Sequence, residues 1–298
     1  MFSQAYECKY KRMEYIRKIY PLIADLWKMD GGVAFGVVPK SIWNRNNMAD
    51  ENNMMPIVTR CLLIRTDEKL ILVDTGMGNK RDEKYYKVRF RNPEISIEKS
   101  LKEIGYVPGD ITDILFTHLH DDHVGAAITK DASGRFVPLF PNAIYHCSRA
   151  QWDWAIHPNK REGASYLKDN LLPLLESGRL NFIDPEGEWI PGIHLRSYNG
   201  HTMGQLIPYI LYQDKTIVFC GDFIPTTFNI PLPFVPAVDI QPLVTMEEKT
   251  KFLNEAVSSG YILLFEHDPF NECCTLIQTG KGVGIDRIFA IDTFTSNT

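Results

Sequence analysis

Short apolar runs that end in polar turns recur along the chain, and they predict β-strands. The runs 59–66 and 69–76 are separated only by Asp67-Glu68, which is the spacing of a β-hairpin. Another run begins at residue 113 and breaks into a polar turn by residue 125. Further strands are predicted at 142–147, 180–184, 193–200, 205–213, 215–222, 261–268, 274–282 and 284–291.

Helical spacing of apolar residues alternates with these runs. The predicted helices are 97–106, 148–156 with Ser148 as its N-cap, 165–178 despite Pro173, and 246–260 with capping-box spacing at Thr245 and Glu248. Because hairpins and helices mix without strict βαβ alternation, the pattern predicts an α/β fold with two packed β-sheets and helices outside them.

The domain organisation follows from where these signals begin. Residues 1–25 carry no strand or turn signal, so they are expected to be an N-terminal extension, either helical or partly disordered. No linker or shift of composition divides residues 26–298, which predicts a single domain.

Composition narrows the class of partner. Hydrophobic residues make up 44% of the chain, and the net charge of −5 favours a small-molecule substrate over nucleic acid or a membrane. The six cysteines lack CxxC spacing, which predicts reduced thiols and a cytoplasmic protein. A homodimer is compatible with the sequence.

Three of the eight histidines fall in THLHDDHVG, residues 117–125, directly after a predicted buried strand. A tight turn there can aim His118, His120, Asp122 and His123 inward. Histidine is the commonest metal ligand, and a carboxylate is stable in a core only beside a positive charge. The alternative is a polar surface turn with coincidental histidines.

Residues of the same kind end three other predicted strands. His201 lies in NGHTMGQ, Asp222 in FCGDF and His267 in LFEHDPF. Loops at strand ends are where folds of this class place their sites. The four segments supply five histidines and two aspartates, enough for two metal ions about 3.5 Å apart that share a carboxylate.

HxHxDH followed by GHT, by GD at a strand end and by a late histidine resembles the metallo-β-lactamase superfamily over roughly residues 30–290. The resemblance implies a four-layer αββα sandwich of two mixed β-sheets with helices on the outer faces. It also implies that Asp74, in ILVDTG, supports the ligands by hydrogen bonding.

The resemblance assigns the candidate ligands to two metal ions. The first ion is expected to bind His118, His120 and His201, the second Asp122, His123 and His267, and Asp222 is expected to bridge both.

The implied chemistry is attack by a metal-bridging hydroxide, with Asp222 and Asp122 as catalytic carboxylates. Zinc is the expected metal, although Mn, Fe or Co suit the same ligands. Asp121 occupies the variable position of HxHxDH, so Asp121→Ala is expected to cost far less activity than Asp222→Ala.

The loop after Asp222 resembles that of quorum-quenching lactonases and organophosphate hydrolases. This likeness implies hydrolysis of a small ester-like substrate, in the first place an acyl-homoserine-type lactone. Pro225 departs from a tyrosine that some lactonases carry three residues after the bridging aspartate. The alternatives are a phosphotriester or aryl-ester hydrolase with the same binuclear site and a non-enzymatic metal-binding protein.

The substrate pocket is expected under two Gly- and Pro-rich loops, 30–45 and the loop after Asp222. Its predicted lining residues have no strand or helix period, and they are Phe35, Trp43, Thr226, Phe228 and Phe234. The alternative is that the aromatic rings only pack the two loops on each other.

Overall fold

Strands and short helices alternate along residues 15–46 and 48–292, the part of the chain that the computed structural model describes. The strands in this part are β1 (Ile16–Asp30), β2 (Met54–Thr66), β3 (Leu70–Val73), β4 (Asp113–Leu115), β5 (Ile128–Lys130), β6 (Phe136–Pro138), β7 (Ile144–Ser148), β8 (Leu180–Ile183), β9 (Gly187–Ile190), β10 (Ile193–Tyr198), β11 (Gln205–Tyr212), β12 (Lys215–Phe219), β13 (Ile262–Leu264), β14 (Cys273–Thr279) and β15 (Gly282–Phe289).

The helices of the same part have four to nine residues, apart from the last, which has 18. They are α1 (Gly31–Phe35), α2 (Lys40–Trp43), α3 (Glu83–Lys87), α4 (Ile97–Glu103), α5 (Asp121–Val124), α6 (Arg149–Ile156), α7 (Lys168–Glu176) and α8 (Pro242–Ser259). Single 3₁₀ turns occur at Asn44–Asn46, Pro108–Asp110, Gly125–Ala127 and Thr227–Asn229.

Two mixed sheets form the centre of the fold. The first has the strand order β1-β2-β3-β4-β7-β8, with antiparallel pairing up to β3 and parallel pairing from β3 onward. The second has the order β15-β14-β13-β12-β11-β10-β9, in which only β12 and β13 pair in parallel. A separate hairpin joins β5 to β6. The predicted hairpin of β2 and β3 is confirmed.

Apolar side chains from the facing surfaces of the two sheets form the central core. Leu62 and Val73 of the first sheet share this cluster with Leu206 and Phe219 of the second. Leu101 of α4, Trp152 of α6 and Leu174 of α7 belong to a cluster on the first sheet's other face, and Phe252 of α8 packs on the second sheet. The predicted four-layer αββα sandwich is therefore confirmed.

The predicted boundary of the N-terminal extension is wrong. β1 starts at Ile16 and pairs with β2 as far as Asp30, so residues 16–25 belong to the first sheet. Charged residues along β1 hid its strand character, and one of them, Asp25, is buried against Arg91. Residues 1–14 lie outside the described part, so the expectation for them stays a prediction.

The capping box predicted at Thr245 is also wrong. α8 begins earlier, at Pro242 after the cap residue Gln241, and Thr245 lies inside the helix. The Thr245 hydroxyl donates to Asp239 at 2.7 Å, while Glu248 accepts backbone N–H groups from Asn199 and Gly200. Both side chains therefore serve tertiary contacts.

The cysteines and the helices bear on the state of the thiols and on the possibility of a membrane span. Cys61, Cys147, Cys220, Cys273 and Cys274 are buried free thiols, as predicted, and Cys8 lies outside the described part. Among the described helices, none is both long and apolar enough to cross a membrane.

Candidate metal centre

The HxHxDH segment changes from extended chain into one helical turn. His118 and His120 are two residues apart in extended chain and therefore point to the same side. α5 follows directly, with the His123 backbone N–H donating to the His120 carbonyl at 3.0 Å. This turn brings Asp122 and His123 back toward the first two histidines.

The first ligand group converges on one point. His118 Nε2 lies 2.9 Å from His120 Nδ1, and His201 Nε2 lies 3.1 Å from the same atom. Asp222 Oδ2 is 3.2 Å from His201 Nε2 and 3.8 Å from His118 Nε2. These four residues, which come from three strand ends, present one ligand atom each within reach of a single ion.

The second group lies on the other side of Asp222. His123 Nε2 and His267 Nε2 are 3.3 Å apart. Asp222 Oδ1 lies 2.8 Å from His267 Nε2, and Asp122 Oδ1 lies 3.7 Å from His123 Nε2. The two oxygens of Asp222 thus face different groups, which is the position of a bridging carboxylate.

The structure therefore brings all seven predicted ligands together in the two predicted groups. Asp74 lies where the resemblance implied: it accepts from the Thr117 hydroxyl at 2.6 Å and lies 3.1 Å from His123 Nδ1. Asp74 adopts a φ of 56°, a left-handed conformation that is rare outside glycine and typical of constrained sites.

The outward ring nitrogens of the five histidines all face an oxygen atom. His118 Nδ1 lies 3.1 Å from Thr117 Oγ1, and His267 Nδ1 lies 2.8 Å from the Val58 carbonyl. Such contacts fix the ring orientation and place the proton on the outer nitrogen, which leaves the inner lone pair for a cation.

Three carboxylates that complete these contacts were missed from the sequence. Asp239 lies 2.9 Å from His201 Nδ1, Glu266 lies 3.2 Å from His123 Nδ1, and Glu162 lies 3.4 Å from His120 Nε2. Glu266 interrupts an apolar strand end immediately before a ligand, which is a usable signal. Asp239 and Glu162 stand in loops without any pattern, so only the fold identifies them.

The electrostatics of the site fit divalent cations. Burial holds the pKa of His118 well below its usual range and also lowers the pKa of His120. Both rings are therefore neutral, and their inner nitrogens can offer a lone pair to a cation. Asp222 Oδ1 is buried without a hydrogen-bond partner among the described residues. Inward lone pairs beside this carboxylate oxygen are stabilised by positive charge, and the His/Asp donor set suits zinc or a similar metal.

A cavity of about 480 Å³ opens over the two groups. His120, Asp122, His201 and Asp222 contribute to its floor, so the ligands are accessible from outside. Trp27, Met29, Val33 and Met77 form an apolar part of its lining. The cavity also carries polar side chains, namely Arg89, Asp121, Arg161, Glu162 and Ser165.

The five residues predicted to line the pocket do not line this cavity. Phe35 and Trp43 stack at 4.9 Å between ring centroids, and Phe234 meets Phe35 edge to face. Phe228 packs against the same aromatic cluster, while Thr226 is buried and caps the 3₁₀ turn that follows it. The rings pack the two loops on each other, and Trp27 of β1 faces the cavity in their place.

The family model described as Metallo-beta-lactamase superfamily matches residues 55–258, which are more than half of the chain. This range includes all of the candidate ligands except His267. The chain belongs to the metallo-β-lactamase superfamily. The resemblance to this superfamily that the sequence motifs indicated is therefore confirmed.

Curated relatives within the metallo-β-lactamase superfamily carry lactonase names. An N-acyl homoserine lactonase of a Bacillus species is 30% identical over 169 residues, which are 53% of this chain and 60% of that protein. N-acyl homoserine lactonase AiiA of Bacillus thuringiensis subsp. kurstaki is 26% identical over 234 residues, 75% of this chain and 86% of that protein. The chain thus spans less than two thirds of the first relative and most of the second.

Solved structures of the metallo-β-lactamase fold match along nearly the whole chain. A probable metal-dependent hydrolase from Staphylococcus aureus has a TM-score of 0.81 and 30% identity, with 92% of this chain and 96% of that one covered. The dizinc quorum-quenching lactonase AidC has a TM-score of 0.76 at 22% identity, covering 92% and 97%. The prediction of a metallo-β-lactamase-fold hydrolase is confirmed, and the substrate stays a prediction.

Proposed function

We propose that the protein is a binuclear metal-dependent lactonase whose substrates are N-acyl homoserine lactones or close analogues. The observation that carries this proposal is the cavity of about 480 Å³, which has metal ligands in its floor and an apolar side beside them. This size suits a small amphiphilic molecule. The lactonase names of relatives at 26% and 30% identity support the same substrate class.

The open floor also argues against a purely structural metal site. Structural sites are closed by four protein ligands, whereas catalytic sites keep a position for water or substrate. When bound, two divalent cations would supply a hydroxide near neutral pH and polarise the ester carbonyl.

The chain's own residues divide the remaining work. Asp222 holds the two ligand groups together through its two oxygens. Asp122 lines the cavity and is placed to accept the proton that the attacking water loses and to return it to the alcohol oxygen released on ring opening. Trp27 is fixed by its indole N–H, which donates to Thr59 Oγ1 at 3.2 Å, and it excludes water from one side.

A substrate panel tests this proposal. Chelated protein is reloaded with Zn²⁺ or Mn²⁺ and assayed with N-hexanoyl homoserine lactone, phenyl acetate and diethyl 4-nitrophenyl phosphate. The lactone is expected to have the highest kcat/KM by more than about tenfold, since substrate choice reflects differential transition-state binding. A preference for the phosphotriester or the aryl ester would contradict the proposal. Protein whose bound metal does not exchange and that hydrolyses none of the three substrates would contradict it as well.

A further inference from the structure

A polar cluster beside the metal ligands forms one part of the cavity wall and has no role in the hydrolysis proposed above. Asp121 and Arg89 both line the cavity, and Tyr85 packs behind them. The Tyr85 hydroxyl donates to Asp121 Oδ2, and Arg89 Nη2 lies 3.3 Å from the same oxygen. The guanidinium of Arg89 stacks 4.0 Å from the centroid of the Tyr85 ring.

The backbone around Arg89 is fixed to β1 on both sides. The Lys28 N–H donates to the Arg89 carbonyl at 2.8 Å. Arg91 forms a buried ion pair with Asp25 of the same strand. Phe90, between the two arginines, has a φ of 49°, a left-handed conformation that is unfavourable for a non-glycine residue. Strain of this kind is tolerated where a side chain has to be held in one direction.

The guanidinium of Arg89 keeps donors for a ligand. Arg89 Nη1 donates to the Tyr85 carbonyl at 3.1 Å, and Nη2 donates to Asp121. An arginine has five N–H groups in a rigid fork, so these two contacts leave others that can face the cavity. The side chain is only 29% exposed, which limits competition by water.

The charge of Arg89 decides which ligand group it suits. Asp121 lies against the guanidinium and is itself largely buried, with 10% of its side chain exposed. A guanidinium already neutralised by a carboxylate gains little from a second anion but still donates strong hydrogen bonds to a neutral oxygen. An amide carbonyl is such an acceptor.

We propose that Arg89 determines specificity by donating hydrogen bonds to a neutral carbonyl oxygen of the substrate, away from the ester that is cleaved. The substrate class is then a lactone with an acylamino group, in preference to a lactone with a plain alkyl chain. This inference rests on the proposed lactonase function for its turnover test, but its binding test does not depend on turnover.

Two lactones of matched length separate this role from a structural one. One is N-hexanoyl homoserine lactone, and the other is a γ-butyrolactone with an α-heptyl chain, which lacks the amide. Their Kd for chelated, metal-free protein is measured by tryptophan fluorescence, and their kcat and KM are measured with zinc-loaded protein. The variants are Arg89→Met and Arg89→Lys, with the exposed Arg287→Met as control.

Arg89→Met is expected to raise the Kd and KM of the acylamino lactone about 10- to 100-fold, the range for a lost hydrogen bond to a charged group. The alkyl lactone is expected to change by less than about twofold, and kcat and zinc content should stay close to wild type. Arg89→Lys should recover part of the loss, because it keeps one charged donor.

Equal losses for the two lactones would show that Arg89 only supports the cavity wall, and no loss for either would also overturn the inference. Wild-type protein that binds both lactones with the same Kd would overturn it as well. Absence of lactone turnover, with Arg89-dependent binding of the acylamino lactone intact, would contradict the proposed function alone.

Discussion

At the residue scale, the histidine rings are held by carboxylates that are not themselves ligands. His201 depends on Asp239, whose other oxygen accepts from the Thr245 hydroxyl. Glu162 does the same for His120, and burial alone would raise its pKa, but hydrogen bonds from His120, Thr202 and Trp154 outweigh burial and lower the pKa to about 2. Glu162 therefore keeps its charge beside the imidazole that it orients.

Asp239→Asn is expected to lower the affinity for one of the two metal ions about 10- to 100-fold. The reason is that an amide holds the His201 ring less firmly than a carboxylate does and makes the ring less basic. The affinities of both ions are measured by competition with a chromophoric chelator. The affinity for the other ion should change by less than about twofold. The matched control is Asp153→Asn on the exposed side of α6, and its affinities for both ions should also stay within about twofold of wild type. Unchanged affinity in Asp239→Asn would remove Asp239 from the ligand support.

Asp121 shows where reasoning from the motif was insufficient. Its variable position in HxHxDH predicts tolerance, but burial and the neighbouring Asp122 raise its pKa to about 6, and Tyr85 and Arg89 bind its carboxylate. Asp121→Ala would therefore disturb the cavity wall and is a poor control for Asp222→Ala.

Asp222→Ala is expected to lower kcat by at least about 100-fold, since it removes the carboxylate that both ligand groups share. Asp153→Ala should stay within about twofold. The comparison uses kcat of protein loaded with zinc to saturation. Similar kcat values for the two variants would mean that Asp222 does not bridge.

At the element scale, buried strands were predictable and the loops were not. Apolar runs identify β4, β10, β12 and β13, and their ends locate the candidate ligands, because both features follow from burial along a regular backbone. The aromatic rings of the loops carry no period, so their packing into one cluster became visible only in the fold.

Helix α8 fixes the loop that follows Asp222 through one buried lysine. Lys249 Nζ donates to the carbonyls of Asn229 and Pro231, and it lies 3.3 Å from that of Phe234. Burial lowers the pKa of Lys249 to about 8, yet these three carbonyls hold the ammonium in place.

Lys249→Met is expected to lower the free energy of unfolding by about 2–4 kcal/mol, because it leaves buried carbonyl groups without a donor. Urea unfolding measures this loss, and hydrogen exchange should rise in residues 229–239. Lys251→Met, two residues further along in an exposed pair with Glu247, should leave the free energy of unfolding close to that of wild type. A loss no larger than that of the control would contradict the clamp.

At the scale of the whole molecule, acid stability depends partly on the first sheet. Burial alone would raise the pKa of Asp113 on β4, but hydrogen bonds from His146 and Lys69 outweigh it and lower the pKa to about 2, against a usual value of 3.8. The stability that this carboxylate contributes is present above about pH 4 and is lost as the pH falls through 2.

Asp113→Asn should therefore reduce the unfolding free energy at pH 7 by roughly 1–2 kcal/mol, a value discounted because Lys69 is one third exposed. The difference from wild type should shrink between pH 4 and pH 2. Urea unfolding of metal-free protein across this range is the measurement, and a difference independent of pH would contradict the assignment.

The whole molecule also shows how far a motif reaches. The two ligand groups were predictable because their residues lie at strand ends that the fold gathers at one edge. The cavity wall was not, because β1 is rich in charged residues and the loops approach it from distant parts of the chain. Arg89 reaches the site through contacts with β1 that leave no pattern in the sequence.

The central claim is that seven side chains build two adjacent metal sites that share Asp222. Elemental analysis tests this claim most directly. The protein is stripped of metal with a chelator, reloaded with excess Zn²⁺ and desalted before the analysis. Two ions per chain are expected, because each group offers three or more ligand atoms within reach of one ion. A stoichiometry that stays near one, with either Zn²⁺ or Mn²⁺ in excess, would contradict it.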